Sequence, residues 1–283
     1  MTSPVSVTRN GHRTFFKWHR ARRRGSDPAF TGRRILEGMA LGASVEVDLV
    51  RHRDNGLAVL HDHLSIERET TGTGPSISHG AAELRALQLR GNDSAPIADR
   101  VMLLEDLCAL LAETPPHPEA LLQLDYKEGQ GALPPEVITA FAASVGPVAR
   151  YMIVSSGEAE SVRVLTDATP GLHIGYDPCH GEALDHLQVT GDFTGFVEAA
   201  LEDSPNAEMI YLAYQVVLAA DDAGFDIVGA FHGAHRRIDA YTLKTSDAST
   251  QAIAERLIGL GVDQITTDDP EGLAALLGAT ANG

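Results

Sequence analysis

Cysteine is nearly missing from this 283-residue chain: only Cys108 and Cys179 occur, too few for a disulfide framework. Cys108 falls inside an apolar helical run and reads as a reduced, buried, inert thiol. Long apolar runs are missing too. None approaches the roughly 20 residues that cross a bilayer, so stable membrane insertion is not expected. The opening residues, MTSPVSVTRNGHRT, lack the apolar stretch of a secretory signal, which makes a cytoplasmic setting the expectation. Internal repeats and low-complexity tracts are absent. Basic residues are scarce, 22 Lys and Arg against 39 Asp and Glu, for a net charge of −17. A chain this acidic lacks the broad basic face that neutralises nucleic-acid phosphates, so nucleic acid is excluded as a general partner.

The basic residues that remain are unevenly placed. Arg9, Arg13, Lys17, Arg20, Arg22, Arg23, Arg24, Arg33 and Arg34 stand against the single acid Asp27 in the first 34 positions. A local cluster of this kind suits a small anionic ligand better than a polymer. Arg9 and Arg13 read more simply as a solubilising, partly disordered arm.

Hydrophobic residues make up 43% of the chain, ample for a full core. Short β-branched runs at 14–18, 44–49, 121–126, 151–155, 172–176, 209–212, 237–242 and 263–266 read as strands. Helical patterns lie between them at 31–42, 104–113, 134–146, 157–168, 194–203, 214–223 and 248–260. Strand–helix alternation implies a parallel sheet with covering helices. Eight such units point to a (β/α)₈ barrel, a TIM barrel in the α/β class, with a doubly wound open sheet as the alternative. The whole of 1–283 reads as one domain. From about 50 to 98 the rhythm breaks: a short strand-like run, 57–60, is followed by the polar ERETTGTGPSISHG. A connection this long is usually functional, and it reads as an insertion after the second barrel strand that caps the barrel mouth.

The chemistry begins in SVEVDL, residues 44–49. Alternation puts Glu46 and Asp48 on one side and Val45, Val47 and Leu49 on the other. Two same-face carboxylates repel unless a cation lies between them, and a divalent ion with oxygen ligands is the simplest such cation. A solvated edge strand is the plainer alternative. The run 57–60 delivers His61 and Asp62 at its end. Chemistry in such barrels gathers at the C-terminal strand ends, and those ends add His19-Arg20, Asp125-Tyr126-Lys127 and Tyr241-Thr242-Leu243-Lys244. Glu46, Asp48 and Asp125 suit one Mg²⁺ or Ca²⁺. Arg20 and Lys127 suit phosphoryl oxygens, and His19 and His61 can serve as general base and acid on opposite sides of phosphorus. This set matches phosphodiester cleavage of a small-molecule substrate.

These residues also resemble a family, the glycerophosphodiester phosphodiesterases. His19-Arg20, Glu46-x-Asp48, HDHLSIERETTGTG (61–74), Ser155-Ser156 and GVDQITTDDP (261–270) follow its motifs in order, from about residue 16 to 275. The resemblance implies a TIM barrel, a catalytic pair His19 and His61, metal ligands Glu46, Asp48 and Asp125, and phosphate contacts from Arg20 and Lys127. It implies attack by the substrate's own adjacent hydroxyl, a cyclic phosphodiester, and ring opening by water. Asp125 stands where a Glu is usual and Ala21 where a Gly is usual. Tyr241 and Lys244 replace a Trp and an Asn that shape the substrate pocket. Asp-x-Lys at 125–127 is also similar to the sphingomyelinase D and phospholipase D toxins of the same barrel, which implies release of a cyclic phosphate as an alternative. An inactive phosphate-binding barrel is a third reading. His232-Gly233-Ala234-His235 reads as a plain loop between the sixth and seventh strands.

Overall fold

The computed structural model describes residues 5–279. An N-terminal pair, β1 (Ser6–Arg9) and β2 (His12–Trp18), leads into α1 (Gly32–Leu41) and β3 (Ser44–Arg51). The next segment holds β4 (Leu57–Val59), α2 (Ala81–Ala86), β5 (Gln88–Arg90) and β6 (Pro96–Arg100). Regular alternation then runs through α3 (Leu104–Glu113), β7 (Leu121–Tyr126), α4 (Pro135–Val145), β8 (Met152–Ser155), α5 (Ala159–Asp167) and β9 (His173–Tyr176). Helices α6 (Gly181–Thr190) and α7 (Phe193–Asp203) precede β10 (Met209–Ala213), and α8 (Tyr214–Asp222) and α9 (Ile227–Gly233) precede β11 (Arg237–Leu243). The chain closes with α10 (Ala248–Gly259), β12 (Gln264–Thr267) and α11 (Pro270–Leu276).

Eight strands pair in parallel in the order β2, β12, β11, β10, β9, β8, β7, β3, and β3 returns to β2 through Trp18 opposite Val45. The sheet is therefore a closed barrel with helices between its strands. All eight strands expected from sequence are barrel strands. Among the described residues no helix is long and apolar enough to cross a membrane.

Strand faces divide cleanly. Val45, Val47 and Leu49 point outward into a large buried cluster under α1, α3 and α4, while Ile210, Leu212, Ile238, Ala240 and Ile265 face a second cluster under the later helices. Close packing of α1 requires Gly38, because a Cβ there would lie 2.6 Å from Val45 Cγ2 and 3.2 Å from Trp18. The helix ends at Gly42, whose φ of +79° is the left-handed conformation that glycine adopts without strain.

The barrel interior is unusual in being mostly polar. Its buried apolar plug is small, Ile153, Met209 and Tyr211. Above it, Lys17 is 1% exposed and pairs with Asp239 at 3.0 Å, its ammonium stacked 4.3 Å from the Tyr211 ring centre. Gln264 and Thr266 donate to the same Asp239 carboxylate at 2.5 and 2.6 Å. Lys17 also donates to Gln123, Gln123 to Ser155 (2.8 Å) and Ser155 to Asp125 (2.7 Å). A bonded column thus runs from mid-barrel to the mouth.

The first strands differ from expectation in one respect. Arg9 and Arg13 belong to an ordered antiparallel pair, β1 on β2, and are tied to the Leu277 carbonyl at 2.8 Å and to Glu119 at 2.7 Å. His232 also differs, whereas His235 lies in the turn after α9 as the loop reading expects. His232 lies in α9, where Asp263 accepts a 2.8 Å bond from its Nε2, and this contact is at the barrel end opposite the mouth. The helices α2, α6, α9 and α11, which sequence did not mark, are only six to ten residues long, too short to persist alone, so tertiary packing decides them.

Candidate active site

The register of β3 on β7 sets Glu46 opposite Gln123 and Asp48 opposite Asp125. Glu46, Asp48 and Asp125 therefore meet at the mouth with one oxygen from each within 4.8 Å of the others. Glu46 and Asp48 are buried. Glu46 accepts from the Arg20 backbone N–H at 2.5 Å. That contact exists because Arg20 and Ala21 both take positive φ, 51° and 57°, in the turn after β2. Neither oxygen of Asp48 has a hydrogen-bond partner with good geometry. Burial and the adjacent Glu46 push its carboxyl up, and Lys127, Arg20 and His61 pull it back only in part. A buried, underpartnered carboxylate among oxygen donors is what a hard divalent cation would relieve, so the residues fit such an ion.

Lys127 and Arg20 are turned towards these acids. Lys127 Nζ is 2.7 Å from Asp48 Oδ1 and also contacts Asp125, and Arg20 Nε is 3.3 Å from Asp48 Oδ2. Burial lowers the Lys127 ammonium, but Asp125, Asp48 and Glu46 more than offset it and hold it charged. The same balance, with Asp48 and Glu46 foremost, raises Arg20. Three carboxylates against two cations leave one negative charge uncompensated.

Each histidine leans on its own carboxylate. His19 Nδ1 is 2.7 Å from Asp268 Oδ1, and His61 Nδ1 is 2.7 Å from Asp62 Oδ1. A carboxylate only accepts, so Nδ1 carries the proton in both rings and Nε2 is left for chemistry. Burial lowers the His19 pKa despite the opposing Asp268 and Asp48, which favours the neutral ring that can accept a proton. Asp268 is held low: its own burial opposes this, but His19 and Arg22 outweigh it. The sequence pair Asp268-Asp269 divides its work, since Asp269 caps α11 through Gly272 N at 2.9 Å while Asp268 turns to His19.

Glu69 completes the mouth. One of its oxygens accepts from the backbone N–H groups of His61 and Asp62, at 2.9 and 3.0 Å, and so fixes the loop that carries the histidine. The insertion holds Glu69 in turn through Arg90 N donating to its carbonyl at 2.8 Å. Sequence reading did not single out Glu69, and no periodicity marks it. Asp268 was open to discovery, because it follows a barrel strand at its C-terminal end.

Two cavities meet at the histidines. The inner one, about 160 Å³, lies over the barrel axis between Glu46, Asp125, Asp177, His180 and Tyr241. The outer one, about 470 Å³, lies between the insertion and the loop after β11. His19, Arg20 and His61 line both. The structure thus separates the two residues assigned together to the substrate pocket: Tyr241 faces the inner cavity and Lys244 the outer. Asp177 and His180, bonded to each other at 2.9 Å, are inner-wall residues as well as a turn.

Comparison with known proteins agrees with this geometry. The model of the glycerophosphoryl diester phosphodiesterase family matches residues 34–272. His19 and Arg20 lie before that span, and their place in the site rests on the structure. A glycerophosphodiester phosphodiesterase structure from Agrobacterium tumefaciens superposes with a TM-score of 0.66 at 20% identity, over 94% of this chain and 100% of its own. One from Thermotoga maritima gives 0.63 at 18%, over 94% and 99%. An Oleispira antarctica phosphodiesterase, solved with the product sn-glycerol-3-phosphate, gives 0.64 at 17%, over 93% and 96%. No curated protein is similar enough in sequence to count as a match.

Proposed function

The chain belongs to the glycerophosphoryl diester phosphodiesterase family, and from that premise we propose that it hydrolyses a glycerophosphodiester-like substrate to an alcohol and a phosphomonoester. The observation that carries this reading is the convergence of three carboxylates, two cations and two carboxylate-braced imidazoles on one mouth. Glu46, Asp48 and Asp125 would hold one Mg²⁺ or Ca²⁺, which when bound would withdraw charge from a phosphoryl oxygen. We read the whole chain as one catalytic domain with about 50–98 as its insertion. Two buried free thiols, Cys108 and Cys179, each raised to about 12 by burial, are compatible with a cytoplasmic setting.

His19 Nε2 accepts the proton of the substrate's adjacent hydroxyl as that oxygen attacks phosphorus. Nucleophile and phosphorus belong to one molecule, so little translational freedom is lost at this step. Arg20 and Lys127 neutralise charge that builds on the phosphoryl oxygens, Arg20 able to do so with two N–H groups. His61 donates a proton to the departing alcohol. Water then opens the cyclic phosphodiester with the two imidazoles in exchanged roles.

The test is a screen of glycerophosphodiesters with Mg²⁺ or Ca²⁺ and an EDTA control, with products followed by phosphorus NMR. Metal-dependent release of a ring-opened monoester is expected. His19→Ala and His61→Ala should each cost about 10²–10⁴-fold in kcat with the fold intact by circular dichroism. Near-native turnover in either variant would remove the mechanism. A cyclic phosphate as the final product would replace hydrolysis by the toxin-like reaction.

A further inference from the structure

We propose that the outer groove receives the departing alcohol and selects alcohols that carry a second anionic group. This rests on the phosphodiesterase reading and names the substrate class of the same site. The shared wall of His19, Arg20 and His61 places phosphorus between the two cavities. Attacking and leaving oxygens lie roughly in line across phosphorus, so the two halves of the substrate go to opposite cavities. The inner one is small, and its acids Glu46, Asp125 and Asp177 are matched by Lys17, Arg20 and Lys127, which are themselves paired with acids, so it leaves no cation free for a second anionic group. The outer one has about three times the volume and takes the larger, variable half.

Charge in the outer groove is lopsided: Arg20, Arg22, Arg68, Arg90 and Lys244 stand against Asp62, Glu69 and Asp268. Its acids are already engaged: Asp62 by His61, Glu69 by two backbone N–H groups, and Asp268 by His19 (2.7 Å) and Arg22 (2.8 Å). Of its cations, Arg90 is held by the Thr70 and Ser94 carbonyls at 2.6 and 2.7 Å. Arg68 and Lys244 have neither a hydrogen bond nor an ion pair among the described residues, and Arg22 Nε is buried without a partner. Arg68 comes from the insertion and Lys244 from the loop after β11, so the two free cations belong to different walls of one groove. In a chain of net charge −17, neither is explained as part of a general basic surface. Arg23 and Arg24, by contrast, are tied to Glu37 and Glu271 and do not line the groove.

Glycerophosphoinositol and glycerophosphoinositol 4-phosphate differ only by a phosphate on the departing alcohol, and comparing them tests the proposal. The enzyme should favour the phosphorylated substrate by about tenfold in kcat/KM, mainly through KM, and added salt should shrink the preference. In Arg68→Ala/Lys244→Ala the ratio should approach one, and in Arg68→Glu/Lys244→Glu it should fall below one. Equal kcat/KM for the two substrates, or a preference that survives both double variants, would overturn the subsite while leaving the phosphodiesterase reading in place. No turnover of either substrate, with any divalent ion, would overturn both.

Discussion

The inner cavity and the outer groove share one wall of His19, Arg20 and His61, yet they are built in opposite ways. Most inner-wall side chains stand on barrel strands or just beyond their ends, and the charged ones are committed to partners: Lys17 to Asp239 and Gln123, Asp125 to Ser155, Lys127 to Asp48. The outer walls come from the insertion and from a loop, and they leave cations unpaired. A strand fixes a side chain by register, which suits groups that must meet a reacting atom. A loop fixes its backbone and leaves the side chain free, which suits contacts that vary with substrate. Difference in rigidity is thus difference in role.

Lys17→Met strikes the rigid side hardest. It strands Asp239 in a buried position with only neutral donors, so stability should fall by about 3 kcal/mol or more, read by urea unfolding. Replacing Asp239 by Leu in the same chain should restore part of the loss. Simple additivity of the two variants would show that the column is not one coupled unit.

Asp268→Asn acts on the shared wall. Asparagine can offer His19 either a donor or an acceptor, so the Nδ1–H tautomer is no longer enforced, and kcat should drop about 10²-fold, near 3 kcal/mol. The pH profile gives a second readout. His19 must be neutral to act as base, and its pKa lies below the ordinary 6.5, so the acid limb of kcat/KM belongs below that value. Asp268 raises His19, so its removal should move the acid limb to still lower pH even as the plateau falls. An acid limb moving upward would contradict this account.

Arg23→Ala should change least. Its bonds to Glu37 and Glu271 are partly exposed and each contributes at most about 1 kcal/mol. Stability should fall by no more than about 2 kcal/mol, and kcat/KM for anionic and neutral phosphodiesters should change by the same small factor. A selective loss for the anionic substrate would extend the outer groove to this side chain and blur the contrast between paired and unpaired cations.

Much of the inner site was legible because strand alternation is a strict code. Glu46 and Asp48 share a face with period two, Asp125 follows the same rule one strand away, and β7 begins and ends at the residues expected, Leu121 and Tyr126. His19, His61 and Lys127 stand at strand ends, where barrel chemistry gathers. Asp62 was visible as the neighbour of His61, but not as its brace. The polar column was not legible, since Lys17 reads as one more basic residue until closure of the barrel sets it against Asp239, 222 positions later in the numbering. Glu69 and Arg68 lie in a stretch with no period, and only the hydrogen bonds of the insertion give them positions.

Sequence by itself determined the alternating strand–helix architecture, the outward apolar faces and the same-face carboxylates, because backbone geometry converts spacing directly into direction. Tertiary structure alone decided which distant groups meet: Asp268 with His19, Asp239 with Lys17, and Arg68 with Lys244 around one groove. The physical reason is that barrel closure joins β2 to both β3 and β12. Residues from the two ends of the chain then face each other at the site, and no local pattern encodes that distance.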